Sequence, residues 1–412
     1  MADPDLPGPV SIAEAHSTIV AQCESRRLRV EPVALDGALG RVLVDDVVAP
    51  HELPPFANAA MDGYALRAAD LASRGEARLR VAGVMLAGTS TPHRIAVGEC
   101  VRITTGAPLP DGADTVVIKE HARLDGDHVL VPAGEPSGAH VRAAGEDYRA
   151  GQVALRRGRR LAAADLGLLA SFGYDKATVS RVPSVALFSS GDELVAPDQT
   201  LGFGQIHDSN AAVLAALLRG DGIAPDRVGH LTDDPAAMRN TLRDAGDRYD
   251  VIVTCGGVSA GEADFMPRLI DEIGRVHFWK VRIRPGMPML FGEISNALVF
   301  ALPGNPVSAI VTFLALVRSG LLALQGRVED APRCWHARLD VPLQKSHART
   351  EYRRARLESR DDGSLRVKPL VRQGSGMLAS VVEADCLVVI PEHTHELDAG
   401  AVVEILLLPG LC

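Results

Sequence analysis

The alternation of hydrophobic and polar residues between positions 185 and 324 predicts a sheet with interleaved helices. Short apolar runs typical of buried strands are separated by stretches with helical periodicity. Because such alternation builds parallel sheets covered by helices on both faces, this segment predicts a mostly parallel, doubly wound α/β domain. The strand candidates are Val185–Phe188, Arg227–Leu231, Val251–Cys255, Val276–Ile283 and Leu298–Leu302, and the helix candidates are Ser209–Arg219, Pro235–Ala245 and Phe265–Ile273.

The segments on either side of this region have a different pattern. From about residue 50 to residue 145, and again after residue 333, short β-like runs are bounded by turn residues. They predict a β-rich middle domain and a C-terminal β-barrel or sandwich. Near the start of the chain, Ser11 and Glu14 have the spacing of a capping box, which predicts a helix. The clearest β-like runs are Ala77–Met85, Glu99–Thr104, Thr115–Ile118, Trp335–Leu339, Tyr352–Leu357, Leu365–Val371, Leu387–Ile390 and Val402–Leu408.

Composition narrows the class of protein. The chain has 412 residues, of which 47% are hydrophobic and 23% charged, so we expect a globular protein of several domains. A net charge of −9 argues against general nucleic-acid binding. Six widely spaced cysteines favour neither a zinc site nor a disulfide framework. The apolar stretch 307–324 is interrupted by Arg318, which favours a buried helix over a membrane span, and we expect a cytoplasmic location.

Four segments that follow strand candidates carry glycines or acids. They are Ser189–Glu193, Thr232–Pro235, Gly256–Asp264 and Pro303–Ser308. Each could be only a turn or a helix cap. Because ligands bind beyond the carboxyl ends of parallel strands, however, the four together predict one crevice. Its glycine loop would offer N–H groups to phosphates, and its acids would offer oxygen ligands to Mg²⁺; these acids are Glu193, Asp233 and Asp264.

Three cations alternate along the segment that follows Trp279. If this segment is a strand, Lys280, Arg282 and Arg284 share one face and form a ladder suited to a polyanion. A solvated edge strand is the competing interpretation, and it is stronger for Arg282 than for Lys280.

Taken together, these motifs resemble the MoeA family, the molybdopterin molybdenumtransferases, whose relatives include the gephyrin E domain. The matching stretches occur in order over nearly the whole chain. They are Pro54-Pro55-Phe56, Met61–Ala65, Val101–Pro108, Gly145-Glu146-Asp147, Ser190–Leu194, Gly256–Asp264, Phe278-Trp279-Lys280 and Leu302–Ser308.

The resemblance implies an elongated homodimer of four-domain subunits. Residues 1–49 and 146–180 would form an N-terminal α/β linking and dimerisation region, and residues 50–145 the β-rich middle domain. Residues 181–330 would form a MogA-like molybdopterin-binding domain, and residues 331–412 the C-terminal β domain. The implied reaction inserts molybdate into adenylylated molybdopterin, with Mg²⁺-dependent hydrolysis that releases AMP and molybdenum cofactor. Contact with a molybdopterin adenylyltransferase is also implied.

The resemblance also implies roles for individual residues. As catalytic residues it implies Asp62, Thr105, Asp147, Glu193, Asp264 and Lys280. As substrate-binding residues it implies Arg142, Gly256, Gly257, Ser259, Gly261, Arg284, Pro303, Gly304, Asn305, Arg354 and Ser375. The expected metal ligands are Asp233, Asp264 and Glu193.

This chain departs from the family pattern at several of these positions. Arg284 and Met287 stand where the family often has lysines. Arg284 keeps the positive charge but carries it on a planar guanidinium, and Met287 removes a positive charge. Ala59 stands where a serine is frequent. Cys255 replaces a small hydroxyl residue, and we interpret it as a buried small hydrophobe rather than a nucleophile.

Two other functions are compatible with the sequence. A molybdopterin adenylyltransferase would use the same α/β fold, although the middle β domain with Asp62 and Thr105 argues against it. A non-enzymatic scaffold like gephyrin would bind a receptor peptide and tolerate loss of the acids.

Overall fold

A computed structural model describes residues 6–232, 234–258, 265–327 and 334–408. The chain divides into two compact units. The first consists of Met1–Asp45, Arg157–Ala162 and Ala177–Cys412, and the second of Asp46–Arg156 and Ala163–Lys176.

The first unit is built on a six-stranded sheet. Four neighbouring strands are parallel, and the last two are antiparallel to their neighbours. The prediction of a mostly parallel sheet is therefore confirmed. Across the sheet the strands are Asp226–Leu231, Val185–Ser190, Val251–Cys255, Ala297–Leu302, Leu290–Ile294 and Arg275–Trp279.

Helices cover both faces of this sheet. Val251 and Val253 point to one face and share a core with Leu214 and Leu218 of a covering helix. Ile252 points to the other face, whose core includes residues of two further helices. Alternate strand residues thus enter separate cores, as a doubly wound sheet requires. The helices of this unit are Ile12–Glu24, Ser209–Gly220, Pro235–Arg248, Met266–Ile273, Pro306–Thr312, Arg318–Leu324 and the short Ala379–Val382, with a π-helical turn at Phe313–Val317.

Two of the predicted helices are present, one with the expected cap and one with the expected burial. Ser11 caps the first helix through its side chain, and the Glu14 side chain accepts a hydrogen bond from the Ser11 amide at 2.7 Å, which completes the capping box. Pro306–Leu324 is long and apolar enough to cross a membrane by composition, and 83% of its most apolar stretch is buried within the protein. Burial of this kind is typical of a core helix.

A closed β-barrel forms the C-terminal part of the first unit. It closes because Thr350–Ser359 pairs with both Leu365–Pro369 and Cys386–Ile390. A two-residue strand from the α/β region, Ile283–Arg284, pairs in parallel with Thr350–Glu351 at one end of the barrel, and we call it the edge strand. The other barrel strands are Trp335–Leu339 and Val402–Leu407, and shorter pairs in this unit are Val30–Ala34 with Lys176–Ser180, Leu194–Val195 with Ile206–His207, and Leu343–Gln344 with Glu396–Leu397.

The second unit is rich in β-structure, as predicted. Its six-stranded sheet contains a hairpin whose turn has Gly126 at φ +64°, which favours glycine. One helix, Ala163–Ser171, belongs to this unit. The sheet order is Thr115–Ile118, Gly63–Leu66, Glu99–Ile103, Glu76–Met85, His128–Pro132 and Arg123–Asp125, and the shorter pairs are Asn58–Ala59 with Val141–Arg142 and Val47–Val48 with Val153–Leu155.

Candidate functional site

A cavity of about 1310 Å³ lies at the carboxyl ends of the central parallel strands. Three of the four predicted loop segments line it, the exception being Thr232–Pro235. In that segment Asp234 caps the following helix by accepting a hydrogen bond from the Ala236 amide at 3.0 Å. The predicted site residues on this wall are Glu193, Gly256, Gly257, Pro303, Gly304 and Asn305.

Close packing between strand ends explains the glycine at position 256. Its φ is +102°, and a Cβ there would lie 2.5 Å from the Ser190 carbonyl oxygen. Its amide donates to the Leu302 carbonyl at 3.0 Å. Cys255 is buried and donates through Sγ to the Pro303 carbonyl at 3.1 Å, and burial raises the pKa of its thiol. These contacts agree with a structural role for Cys255.

The barrel supplies the opposite wall of the cavity. Arg354 is only 1% exposed. Its Nε donates to the Ser380 hydroxyl at 3.1 Å, and its Nη2 donates to the carbonyls of Arg372 and Gly374 at 3.2 and 3.1 Å. Burial lowers the pKa of Arg354, although its guanidinium remains charged at neutral pH. Within the part of the chain that the structure describes, no carboxylate lies within ion-pair distance of this cation.

Two further predicted residues lie beside Arg354 in the cavity lining. Ser375 belongs to a loop that is fastened to the α/β region, because its carbonyl accepts a hydrogen bond from the Val307 amide at 3.1 Å. Arg284 reaches the cavity from the edge strand of the barrel, and its Nε lies 3.7 Å from Oε1 of buried Glu351. Arg284, Arg354 and Ser375, which the family resemblance implied as binding residues, thus lie on one wall of the cavity.

The predicted ladder of cations is wrong. The strand ends at Trp279, because Lys280 has φ +71° and the chain then crosses to the barrel. The Lys280 ammonium lies 3.9 Å from the centroid of the Trp279 ring and outside the cavity lining. Arg282 instead forms ion pairs with Glu392 at 2.6 Å and Glu14 at 3.6 Å. Of the three cations, Arg284 alone lines the cavity.

In the second unit, Asp62 is held by its neighbours. Its carboxylate accepts hydrogen bonds from the Thr105 amide and hydroxyl, both at 2.9 Å, and Lys119 lies 3.5 Å away. The hydrogen bonds from Thr105 lower the pKa of Asp62, so it is ionised at neutral pH. Arg142 and Asp147 line a separate cavity of about 700 Å³ within the same unit.

Models of known protein families match three consecutive parts of the chain. The MoeA N-terminal region (domain I and II) matches residues 10–173, a probable molybdopterin binding domain matches residues 186–323, and the MoeA C-terminal region (domain IV) matches residues 336–408. The chain is 35% identical to a molybdopterin molybdenumtransferase of Haemophilus influenzae, over 92% of this chain and 93% of that protein.

The chain belongs to the molybdopterin molybdenumtransferase family. Molybdopterin molybdenumtransferase 1 of Mycobacterium tuberculosis is 34% identical, over 91% of this chain and 94% of that protein. A MoeA structure from Pyrococcus horikoshii has a TM-score of 0.83 at 28% identity, covering 97% of this chain and all of that one. The expected MoeA-like fold and the expected enzyme of molybdenum cofactor biosynthesis are confirmed.

Four predicted site residues of this family member lie outside the described residues. They are Ser259, Gly261, Asp264 and Asp233. Among the residues that are described, no group of three or more metal-binding side chains is present. Of the expected metal ligands, Glu193 is thus the one that the structure describes, and it lines the cavity.

Three residues that line the cavity were missed by sequence reasoning. Asn210 is 8% exposed; its Nδ2 donates to the Gly304 carbonyl at 2.6 Å, and its Oδ1 has no partner in the described part of the chain. Glu351 is the buried anion beside Arg284, and Arg349 lines the same wall. Asn210 could have been noticed in the sequence, because it is a polar residue on the apolar face of a helix. Glu351 and Arg349 could not, because their place in the cavity depends on how the barrel strands pair.

Proposed function

We propose that the chain inserts molybdate into adenylylated molybdopterin in the large cavity, with Mg²⁺-dependent hydrolysis that releases AMP. The observation that carries this proposal is the composition of the two cavity walls. Strand-end loops of a molybdopterin-binding type form one wall, and guanidinium groups of the barrel form the other. A phosphorylated pterin fits the first wall and a tetrahedral oxyanion fits the second, because guanidinium binds oxyanions through paired N–H groups.

In this proposal the residues have different roles, which follow from their chemistry. The backbone of Gly256 and Gly257 approaches the substrate closely, because neither residue has a side chain that would hold it away. Arg284 and Arg354 bind molybdate oxygens and keep the oxyanion next to the reacting sulfur atoms. Ser375 offers a hydroxyl donor on the same wall.

Glu193 fits the expected metal chemistry. Its carboxylate lines the cavity, and carboxylate oxygens are ligands that Mg²⁺ prefers. Together with Asp233 and Asp264 it would hold Mg²⁺, which when bound neutralises phosphate charge and lowers the pKa of bound water. Glu193 lies three residues after the buried strand Val185–Ser190, just beyond Gly191, so the sheet sets its position.

The reaction is tested by supplying adenylylated molybdopterin, Mg²⁺ and molybdate and measuring AMP by chromatography. We expect AMP release that falls when either ion is omitted. Glu193→Gln should lower the rate roughly a hundredfold, because one charge-stabilising contact is lost. Asp192→Asn is the matched control, since Asp192 is the adjacent acid and does not line the cavity. Equal rates for the two variants would contradict the role of Glu193, and formation of adenylylated molybdopterin from ATP would indicate an adenylyltransferase instead.

We further propose that the enzyme is a homodimer in which Asp62, Thr105, Arg142 and Asp147 of one copy act with the cavity of the other. Their chemistry supports this, because an ionised carboxylate and a guanidinium that line no part of the large cavity still match the family motif. Mixing inactive Asp62→Asn and inactive Arg284→Met proteins should restore part of the activity through mixed dimers. Absence of any recovery, with dimers shown by light scattering, would contradict a shared site.

A further inference from the structure

Arg349 is a cation of the cavity wall with no anionic partner among the residues that the structure describes. Its Nη1 lies 3.7 Å from the sulfur of Met287, and both residues line the cavity. A thioether is a weak acceptor and carries no charge, so this contact leaves the guanidinium charge uncompensated. No carboxylate lies within 4 Å of Arg349 in the ranges that the structure describes.

The peptide group that follows the Arg349 side chain is held at both its carbonyl and its amide. Buried Lys345 donates from Nζ to the Arg349 carbonyl at 2.8 Å. The next amide, of Thr350, donates to the Arg282 carbonyl at 3.0 Å where the edge strand joins the barrel. The backbone that carries the guanidinium is thus already ordered, and binding of an anion has to order the side chain alone.

Three guanidinium groups share the wall, and they differ in how their charge is balanced. Arg284 has Glu351 at 3.7 Å, and Arg354 is buried against neutral acceptors. Arg349 is partly exposed to the cavity and has neither arrangement. Among the described residues, this wall therefore has three guanidinium groups and one carboxylate, Glu351, and Met287 lies beside the guanidinium that has no carboxylate nearby.

We propose that Arg349 binds an oxygen of a doubly charged tetrahedral oxyanion, and that it supplies from the barrel the cation that position 287 lacks. The inference rests on the proposed function, since it concerns the same cavity. Two anions have this chemistry, free molybdate and a phosphate group of the pterin substrate. Arg349 thereby becomes a binding residue of the reaction, and the Met287 sulfur marks the position that its guanidinium occupies.

Calorimetric titration of the full chain tests the proposal without turnover. The probes are sodium molybdate and, separately, inorganic phosphate. Arg349→Gln should weaken binding of one probe about tenfold, the loss expected for one charge-assisted hydrogen bond. Weaker molybdate binding would assign Arg349 to molybdate, and weaker phosphate binding would assign it to the substrate phosphate. Unchanged binding of both probes would overturn the proposal.

A second variant separates charge from structure. Met287→Lys combined with Arg349→Gln should recover most of the lost affinity, because the lysine places a cation where the guanidinium lay. Arg353→Gln is the matched control: Arg353 lies on the same strand, bonds Glu351 at 3.1 Å and does not line the cavity. A lack of recovery would contradict the proposed position of the Arg349 guanidinium, provided that the single and the double variant unfold at the wild-type temperature.

The titrations test the role of Arg349 separately from the proposed reaction. If the wild type binds molybdate through Arg349 and yet releases no AMP, the proposed function fails and this inference stands. If the wild type releases AMP and Arg349→Gln has the wild-type affinity for both probes and the wild-type KM for molybdate, the inference fails and the function stands.

Discussion

The barrel wall of the large cavity and the Asp62 loop of the second unit hold their charged residues in different ways. Arg354 is 1% exposed and donates to three neutral acceptors, whereas the Asp62 side chain is 45% exposed and is held by Thr105 and Lys119. A buried charge is part of the packing that positions it. An exposed charge can change without disturbing the fold. Substitutions in the two regions should therefore separate effects on the free energy of unfolding from effects on the reaction.

Arg354→Met should have the largest effect. It leaves the Ser380 hydroxyl and the carbonyls of Arg372 and Gly374 without their donor, so we expect a loss of about 3 kcal/mol. Urea denaturation measures this loss. Arg356→Met is the control, because Arg356 is an exposed cation on the same strand. If the two variants were equally stable, the buried network would not position the barrel wall.

Gly256→Ala should cost about 2 kcal/mol, because the residue has φ +102° and the new Cβ would lie 2.5 Å from the Ser190 carbonyl. Gly304→Ala is the matched control on the neighbouring strand end. There the nearest atom to a new Cβ is 3.6 Å away, so the cost should be below about 1 kcal/mol. Thermal unfolding of both variants compares them, and equal losses would contradict the account of position 256.

His347 should make the first unit sensitive to acid. Burial lowers its pKa from the ordinary value of 6.5; Glu351 opposes the shift, and Arg284, Arg349 and Lys345 reinforce it. Between its folded pKa and pH 6.5 the unfolded chain therefore binds more protons than the folded chain. The free energy of unfolding should decrease as the pH falls through this window.

The measurement is urea denaturation at a series of pH values from 7 downwards. His347→Gln should reduce the slope, and part of the remainder should belong to His277, whose pKa burial also lowers. An identical slope in the wild type and in His347→Gln would show that His347 is not the sensitive group.

Asp62→Asn should leave the free energy of unfolding unchanged within error and still reduce AMP release roughly a hundredfold. The side chain is exposed, so little packing is lost, while the ionised carboxylate disappears. Glu120→Gln is the control, since Glu120 is an exposed acid near Lys119 in sequence. A destabilised Asp62→Asn protein would remove the contrast between the two regions.

The α/β wall of the cavity could be predicted from the sequence for physical reasons. Buried parallel strands have apolar runs, and loops at their carboxyl ends meet at one edge, so the segments around Glu193, Gly256 and Pro303 could be placed together. The barrel wall could not be derived in this way. Arg354 and Ser375 were available only through the family resemblance.

The prediction failed where the chain leaves the central sheet. Lys280 adopts a left-handed backbone conformation that its residue type does not indicate, so the alternation of Lys280, Arg282 and Arg284 was taken for one strand. Glu351 and Arg349 were missed because their importance comes from pairing with a segment more than sixty residues earlier in the chain.

The two-residue strand Ile283–Arg284 has a consequence for how this protein can evolve. Arg284 is carried by the α/β sequence but takes its place and its counter-charge from the barrel, opposite Glu351. A shortened descendant without the barrel would keep the glycine loops and lose the means to orient Arg284. Under the proposed function, pterin binding would survive such a deletion, whereas oxyanion binding would lose the partner that orients Arg284, so the two segments would have to be inherited together.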